Sequence, residues 1–327
     1  MTSLWLANVN ILNLVIAVAI TFAVCEESNL RRRYMKKQLV QTKDVNAEWK
    51  QSVGWDKLNP DQRIALLESE GMFDVHVLDD PPAYELMPNQ IDYTQKKLMT
   101  RINSKIANFA SQIGINGFIK KGQFAIKEFK NIETWQNLKT GAIITCNHFS
   151  PNDTFVMQKA FKASRQKKLF RVINEANYTN PPMLKFFMKN CDVLPLSSNG
   201  QTMRKFLRAV DELLARKNHI LIYPEQCLWL NYRKPRPLKD GAFSFAVKNN
   251  VPVLPIFITM SDAINKKGEP MPEYTVHVLD PIYPSAELDK RKNIEYMREA
   301  NYNAWVKVYE NVYGEKLKYN TKTDAEG

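Results

Sequence analysis

Between residues 92 and 313 the chain alternates short apolar runs with stretches whose apolar positions recur every three or four residues, and the two periods predict strands and helices in turn. "GAIITC" (141–146), "LFRVIN" (169–174), "DVLPL" (192–196), "HILIY" (219–223) and "VPVLPIFITM" (251–260) read as strands. "PNDTFVMQKAFKAS" (151–164), "PPMLKFFMKN" (181–190), "GQTMRKFLRAVDELLARK" (200–217) and "DGAFSFAVKNN" (240–250) read as helices, and 287–313 as a closing helix. This alternation predicts an α/β domain with a largely parallel sheet flanked by helices. Residues 262–285 read as a hairpin or edge strands, and His277 on their alternating run reads as structural. In such sheets ligand sites gather where strands end and helices begin, and "NHFSPND" and "YPEQ" occupy two such ends.

Upstream the periodicity changes. From Asp92 to about Lys127 it is helical, with Leu98, Ile102, Ile106, Phe109 and Ile113 at three- and four-residue steps among Lys96, Lys97, Arg101 and Lys105. A basic amphipathic helix either packs its stripe on its own domain or lies on a membrane surface, and the pattern leaves both open. Residues 38–92 are polar, with a helix expected to start at Asn59 as N-cap and Pro60 as first helical residue, and "LDDPPAYELMPNQ" a proline-broken connector. Residues 4–25 carry no charge over 22 positions, which at ~1.5 Å per residue spans a hydrocarbon core of about 30 Å. The following "RRRYMKK" favours the cytoplasmic side for the rest of the chain. Asn8, Asn10 and Asn13 leave a shallow or tilted anchor open, and the lack of a basic residue before Leu4 argues against a cleaved signal. The expected organisation is an anchor and linker over 1–30, a basic flank with polar helices and connector over 31–91, the main domain over 92–320 and a disordered tail over 321–327.

Composition adds a partner class rather than a fold. A chain of 327 residues, 44% hydrophobic and 24% charged, can bury a large core, and its net charge of +12 draws it to anionic partners. Without a nucleic-acid-reading motif, and with an apolar anchor present, lipid is the expected partner and nucleic acid is not. Cys25, Cys146, Cys191 and Cys227, like His76, His148, His219 and His277, stand far apart, so neither a disulfide framework nor a metal site is expected.

The strand "IITC" delivers Asn147 and His148 to its carboxyl end, and Ser150-Pro151 reads as N-cap and first residue of the next helix, with Asp153 in its first turn. A carboxylate there can fold back on the imidazole, fix its tautomer and leave the other ring nitrogen free to take a proton, as a general base requires. The same residues fit a plainer reading, because Ser150-x-x-Asp153 resembles a capping box and a first-turn carboxylate suits the helix dipole.

His148-Phe149-Ser150-Pro151-Asn152-Asp153 resembles the HX4D motif of the glycerolipid acyltransferase family, and Asn147 fits the same pattern. Tyr223-Pro224-Glu225 resembles the opening of the family's FPEGTR motif, Leu238–Ala242 its FKKGA segment and Val251–Ile256 its VPVVPV motif. The resemblance implies that His148 is the general base, that Asp153 orients it, and that Glu225 belongs to acceptor binding. No metal or cofactor is implied: coenzyme A or acyl carrier protein brings the acyl thioester as substrate, and a lysophospholipid such as 1-acyl-glycerol-3-phosphate accepts the chain. The family's Gly-Thr-Arg after Glu225 is replaced by Gln226, Cys227 and Leu228, and a second family arginine is replaced within "LPLS" (194–197). Arg233, Arg236 and Lys239 are then the candidate headgroup cations, with a solvated basic loop as the plain alternative. Trp229 and Tyr232 read as packing. A lipid-binding protein without activity and a hydrolase using the same histidine remain the competing functions.

Overall fold

The structure, a computed structural model, describes residues 46–78, 84–179 and 182–322. The apolar run 4–25, its basic flank and the last five residues lie outside the described residues. Among the described residues no helix is long and apolar enough to cross a membrane.

In chain order the elements are α1 (Ala47–Ser52), α2 (Pro60–Ser69), α3 (Leu98–Lys120), β1 (Ala125–Lys130), α4 (Ile132–Asn137), β2 (Ala142–Cys146), α5 (Asp153–Ser164), β3 (Leu169–Ile173), α6 (Glu175–Thr179), α7 (Pro182–Asn190), β4 (Val193–Pro195), α8 (Gly200–Ala215), β5 (His219–Ile222), α9 (Gly241–Asn249), β6 (Val253–Ile264), β7 (Pro270–Val278) and α10 (Lys290–Tyr313). Contacts gather them into two compact units, one of residues 84–120 and 172–209, the other of residues 46–78, 121–171 and 210–322.

The second unit carries a sheet in the order β1-β7-β6-β2-β5-β3. Every pairing in it is parallel except the β6–β7 hairpin, so the largely parallel sheet and the hairpin both agree with the sequence. β7 is no edge strand, because β1 pairs with its outer side. At the centre, β2 is buried along its whole length, as a parallel strand covered on both faces must be. Gly141 leads into it where an added Cβ would meet the Leu214 carbonyl oxygen at 2.2 Å, a contact only glycine tolerates. α10 lies on β6, starting where the Asp289 side chain accepts from the Lys292 amide at 2.9 Å and burying Met297, Trp305 and Tyr309. Its Asn301 bonds Thr145 of β2.

Residues 46–78 join the same unit. Asn59 and Gln62 form a full capping box at 2.9 Å each way, with Pro60 at the first helical position as the sequence indicates. Trp55, Ile64, Leu67, Val75 and Val77 then cluster with Cys227 and Trp229 of the loop after β5. The extension thus supplies a wall of the loop that follows the central strands.

In the other unit, Asp192 just before β4 accepts from Gln95 at 2.7 Å and from Ser104 at 2.6 Å and Asn108 at 2.8 Å of α3. The buried face of α3 is made of Ser104, Ala107, Ala110 and Ile115. The large apolar residues point the other way: Leu98 and Phe109 are each 63% exposed, and Met99, Ile102 and Ile106 are exposed as well. Packing of that stripe on its own domain, one of the two readings of the pattern, is therefore not what the described residues adopt. Small side chains allow close approach and Asp192 supplies polar anchors, so the helix docks by the face that hydropathy does not mark.

Candidate functional site

β2 and β5 are parallel neighbours, so the loops at residues 147–153 and 223–240 leave the sheet at the same end. Both loops lie in the second unit, together with all seven candidate residues. Asn147 holds the first loop's base: its Nδ2 donates to the Ile258 carbonyl at 3.0 Å and its Oδ1 accepts from the Ile258 amide at 2.8 Å. Both ends of the side chain are committed to β6.

The next residue is the histidine. His148 Nδ1 lies 2.7 Å from Asp153 Oδ2, with the imidazole 22% exposed and the carboxylate buried. A carboxylate oxygen accepts, so Nδ1 holds the proton and Nε2 keeps its lone pair. The capping-box alternative fares less well. Asp153 Oδ2 meets the Ser150 amide only at 3.4 Å, and Ser150 Oγ accepts from Asn152 at 3.1 Å rather than from Asp153. α5 begins at Asp153 with Asn152 as N-cap, two residues later than the sequence indicates, because the Asp153 amide closes a tight turn onto the Ser150 carbonyl at 3.1 Å. The short, charge-assisted contact is the one to histidine.

Two groups the sequence did not single out complete this cluster. Tyr223 stacks on the His148 ring with centroids 4.2 Å apart and donates to Asp153 Oδ1 at 3.1 Å. Burial, and then the Asp153 carboxylate, push the Tyr223 hydroxyl well above its ordinary pKa, which keeps it a donor. Thr154 donates to the same Oδ1 at 3.2 Å. Each Asp153 oxygen is thereby aimed. The only signal in the sequence was position: Tyr223 opens the YPE segment and Thr154 follows Asp153.

The second loop is tied to the first through its charges. Glu225, 3% exposed, accepts from the His148 amide at 2.9 Å and from the Arg236 amide and guanidinium at 2.9 Å each. Gln226 stands where the family motif has glycine and has φ +67°, the left-handed conformation glycine adopts freely. Trp229 is buried against Val75, whose carbonyl accepts from its ring nitrogen at 2.9 Å, in line with a packing role.

The remaining candidates diverge. Arg236 is 1% exposed and folded inward. Arg233 and Lys239 are exposed, but Arg233 pairs with Asp262 at 3.1 Å and Lys239 with Asp74 at 2.8 Å. Arg233 also borders a groove of about 450 Å³ with Lys127, Lys130, His277 and Tyr313, a groove to which His148, Asp153 and Glu225 contribute nothing. Cys146, Cys191 and Cys227 are buried, and none of them forms a disulfide among the described residues. Among the described residues no group of three or more His, Cys, Asp or Glu side chains is placed to hold a metal ion.

Residues 126–259 match the family model described as Acyltransferase, a segment that contains all seven candidates. No curated protein matches the chain. A crystal structure of the 1-acyl-sn-glycerophosphate (LPA) acyltransferase PlsC from Thermotoga maritima is similar to 67% of this chain and 89% of its own, at 17% identity and a TM-score of 0.45.

Proposed function

We propose that this chain, whose residues 126–259 match the acyltransferase family model, moves a fatty acyl group from a thioester carrier to a hydroxyl of a lysophospholipid. The observation that carries the reading is the 2.7 Å contact between His148 Nδ1 and Asp153 Oδ2, which leaves Nε2 as a proton acceptor. His148 Nε2 takes the proton of the acceptor hydroxyl while that oxygen attacks the thioester carbonyl carbon. The tetrahedral intermediate collapses, the carbon–sulfur bond breaks, and the departing thiolate takes the proton back from the imidazolium. Asp153 stabilises the imidazolium in between. Coenzyme A or acyl carrier protein is the donor, as substrate, and 1-acyl-glycerol-3-phosphate is the first acceptor, its phosphate facing Arg233 and Lys239 of the basic loop.

The enzyme works at a membrane, its catalytic domain on the cytoplasmic side. The outward face of α3 supports this: Leu98, Met99, Ile102, Ile106 and Phe109 are exposed, Lys96, Lys97, Arg101 and Lys105 flank them, and residues 93–127 contain no acidic side chain. An apolar stripe between cations fits an anionic lipid surface. The test supplies purified protein with labelled acyl-CoA, or acyl carrier protein thioester, and a panel of lysolipids. Diacyl product in proportion to acceptor supports transfer; free acid without acceptor means a hydrolase, and binding without product means a lipid-binding protein.

A further inference from the structure

We infer that Glu225 and Arg236 position the His148 base and take no part in gripping the acceptor headgroup. The inference deepens the proposed function and rests on it. A motif arginine reads a ligand phosphate when its planar fork faces the cleft. Arg236 turns both Nη atoms of its fork onto the protein. Nη2 donates to Glu225 Oε2 at 2.9 Å, to the His148 carbonyl at 3.2 Å and to the Cys227 carbonyl, Nη1 donates to the Phe73 carbonyl at 3.2 Å, and the guanidinium lies 4.9 Å over the Trp229 ring. With 1% of its surface exposed, it reaches a phosphate only by giving up these partners.

The pair grips His148 at both of its main-chain groups. Glu225 Oε2 takes the His148 N–H and Arg236 takes the His148 C=O, while the Trp229 amide adds a second bond to that carbonyl at 3.2 Å and the Asn231 amide bonds the Phe149 carbonyl at 2.8 Å. Asp153 orients the ring; Glu225 and Arg236 hold the backbone from which the ring projects. A base displaced by about 1 Å loses on the order of a hundredfold in rate, so this clamp acts on turnover rather than on acceptor affinity. The arginine missing after Glu225 thus has an internal counterpart, eleven residues on, with a different task.

The test measures kcat and acceptor KM for Arg236→Lys and Glu225→Gln, each with 1-acyl-glycerol-3-phosphate and with 1-acyl-glycerol, which has no phosphate. Lysine keeps the charge but cannot span a carboxylate and three carbonyls, so kcat should fall by about 30-fold on both acceptors with KM within about twofold. A purely structural pair would lower the melting temperature and leave kcat per folded molecule unchanged, which overturns the inference. So does a rise of about tenfold or more in KM confined to the phosphate-bearing acceptor, the result expected of a headgroup ligand. Should Arg236→Lys fail to fold, the guanidinium NMR signals of wild-type Arg236 decide: unchanged under saturating sn-glycerol 3-phosphate supports the assignment, and a shift overturns it. Transfer by wild type with headgroup-dependent KM changes in the variants defeats this inference alone; no transfer by wild type defeats the proposed function, and the glycerol 3-phosphate titration still tells whether Arg236 is a ligand.

Discussion

The loops after β2 and β5 begin side by side on parallel strands, yet the histidine of the first keeps an exposed edge while the Glu225–Arg236 pair of the second is withdrawn from solvent. In the first, His148 keeps 22% of its ring exposed above a buried aspartate. In the second, Glu225 and Arg236 are 3% and 1% exposed and satisfy each other. The turn at Gln226 is held in the left-handed conformation that glycine adopts freely. What differs is the fate of charge. A basic residue near a catalytic motif is as readily spent on fixing a loop as on reading a substrate, and only burial and partners tell the two apart.

The largest effect is expected at Asp153. Asp153→Asn should lower kcat by about a thousandfold while the protein remains folded by circular dichroism, because an amide at that position no longer fixes the Nδ1–H tautomer. Equal activity in the variant would reduce the first loop to a helix start.

Acid provides the next test, because it separates site from scaffold. Burial lowers His219 and His277 from 6.5 to about 4, His277 with help from Lys130. The geometry of His219 agrees: Trp135 Nε1 donates to its Nδ1 at 2.8 Å and its Nε2 donates to the Thr140 carbonyl at 3.2 Å, which requires a neutral ring. Above pH 6.5 neither the folded nor the unfolded state carries these protons and nothing is lost. As pH falls from 6.5 to about 4 the unfolded chain binds protons the fold refuses, so stability should drop by up to about 3 kcal/mol per histidine and then level off. Thermal melts across this range read the scaffold, and His219→Gln should flatten the slope.

Smaller effects probe the exposed cations. Arg233 and Lys239 sit in solvent-exposed ion pairs worth about 0–1 kcal/mol, so alanine at either should leave the melting temperature within about 2 °C. As headgroup ligands they should each raise the KM for 1-acyl-glycerol-3-phosphate about threefold when removed, an effect that fades in high salt. At the small end, Gln226→Gly relieves a left-handed side chain and should raise the melting temperature by about 1 °C with kcat unchanged.

Much of this was written locally. The alternation of runs such as "AIITC" and "HILIY" with helical stretches gives the sheet class, and Asn59-Pro60 marks a helix start that the fold adopts. His148 and Asp153, five residues apart, meet across one turn, so spacing alone places them. Three features were not legible. The clamp at Arg236 joins residues separated by 88 positions, through a loop whose path depends on positive φ at Gln226 and Asn231. The supporting cluster of residues 46–78 is a long-range hydrophobic contact hidden in a polar segment. The outward stripe of α3 shows that periodicity finds an apolar face without saying what covers it, because Ser104, Ala107 and Ala110 bury the opposite face by small size and hydrogen bonding.

Acyl transfer by the His148–Asp153 pair is read from diacyl product formation by detergent-solubilised protein, wild type against His148→Ala, with labelled acyl thioester and 1-acyl-glycerol-3-phosphate. Wild type should form product in proportion to acceptor, and the folded variant should lose about a thousandfold or more. Transfer that persists in His148→Ala, or donor consumed without acceptor by the wild type, would contradict it.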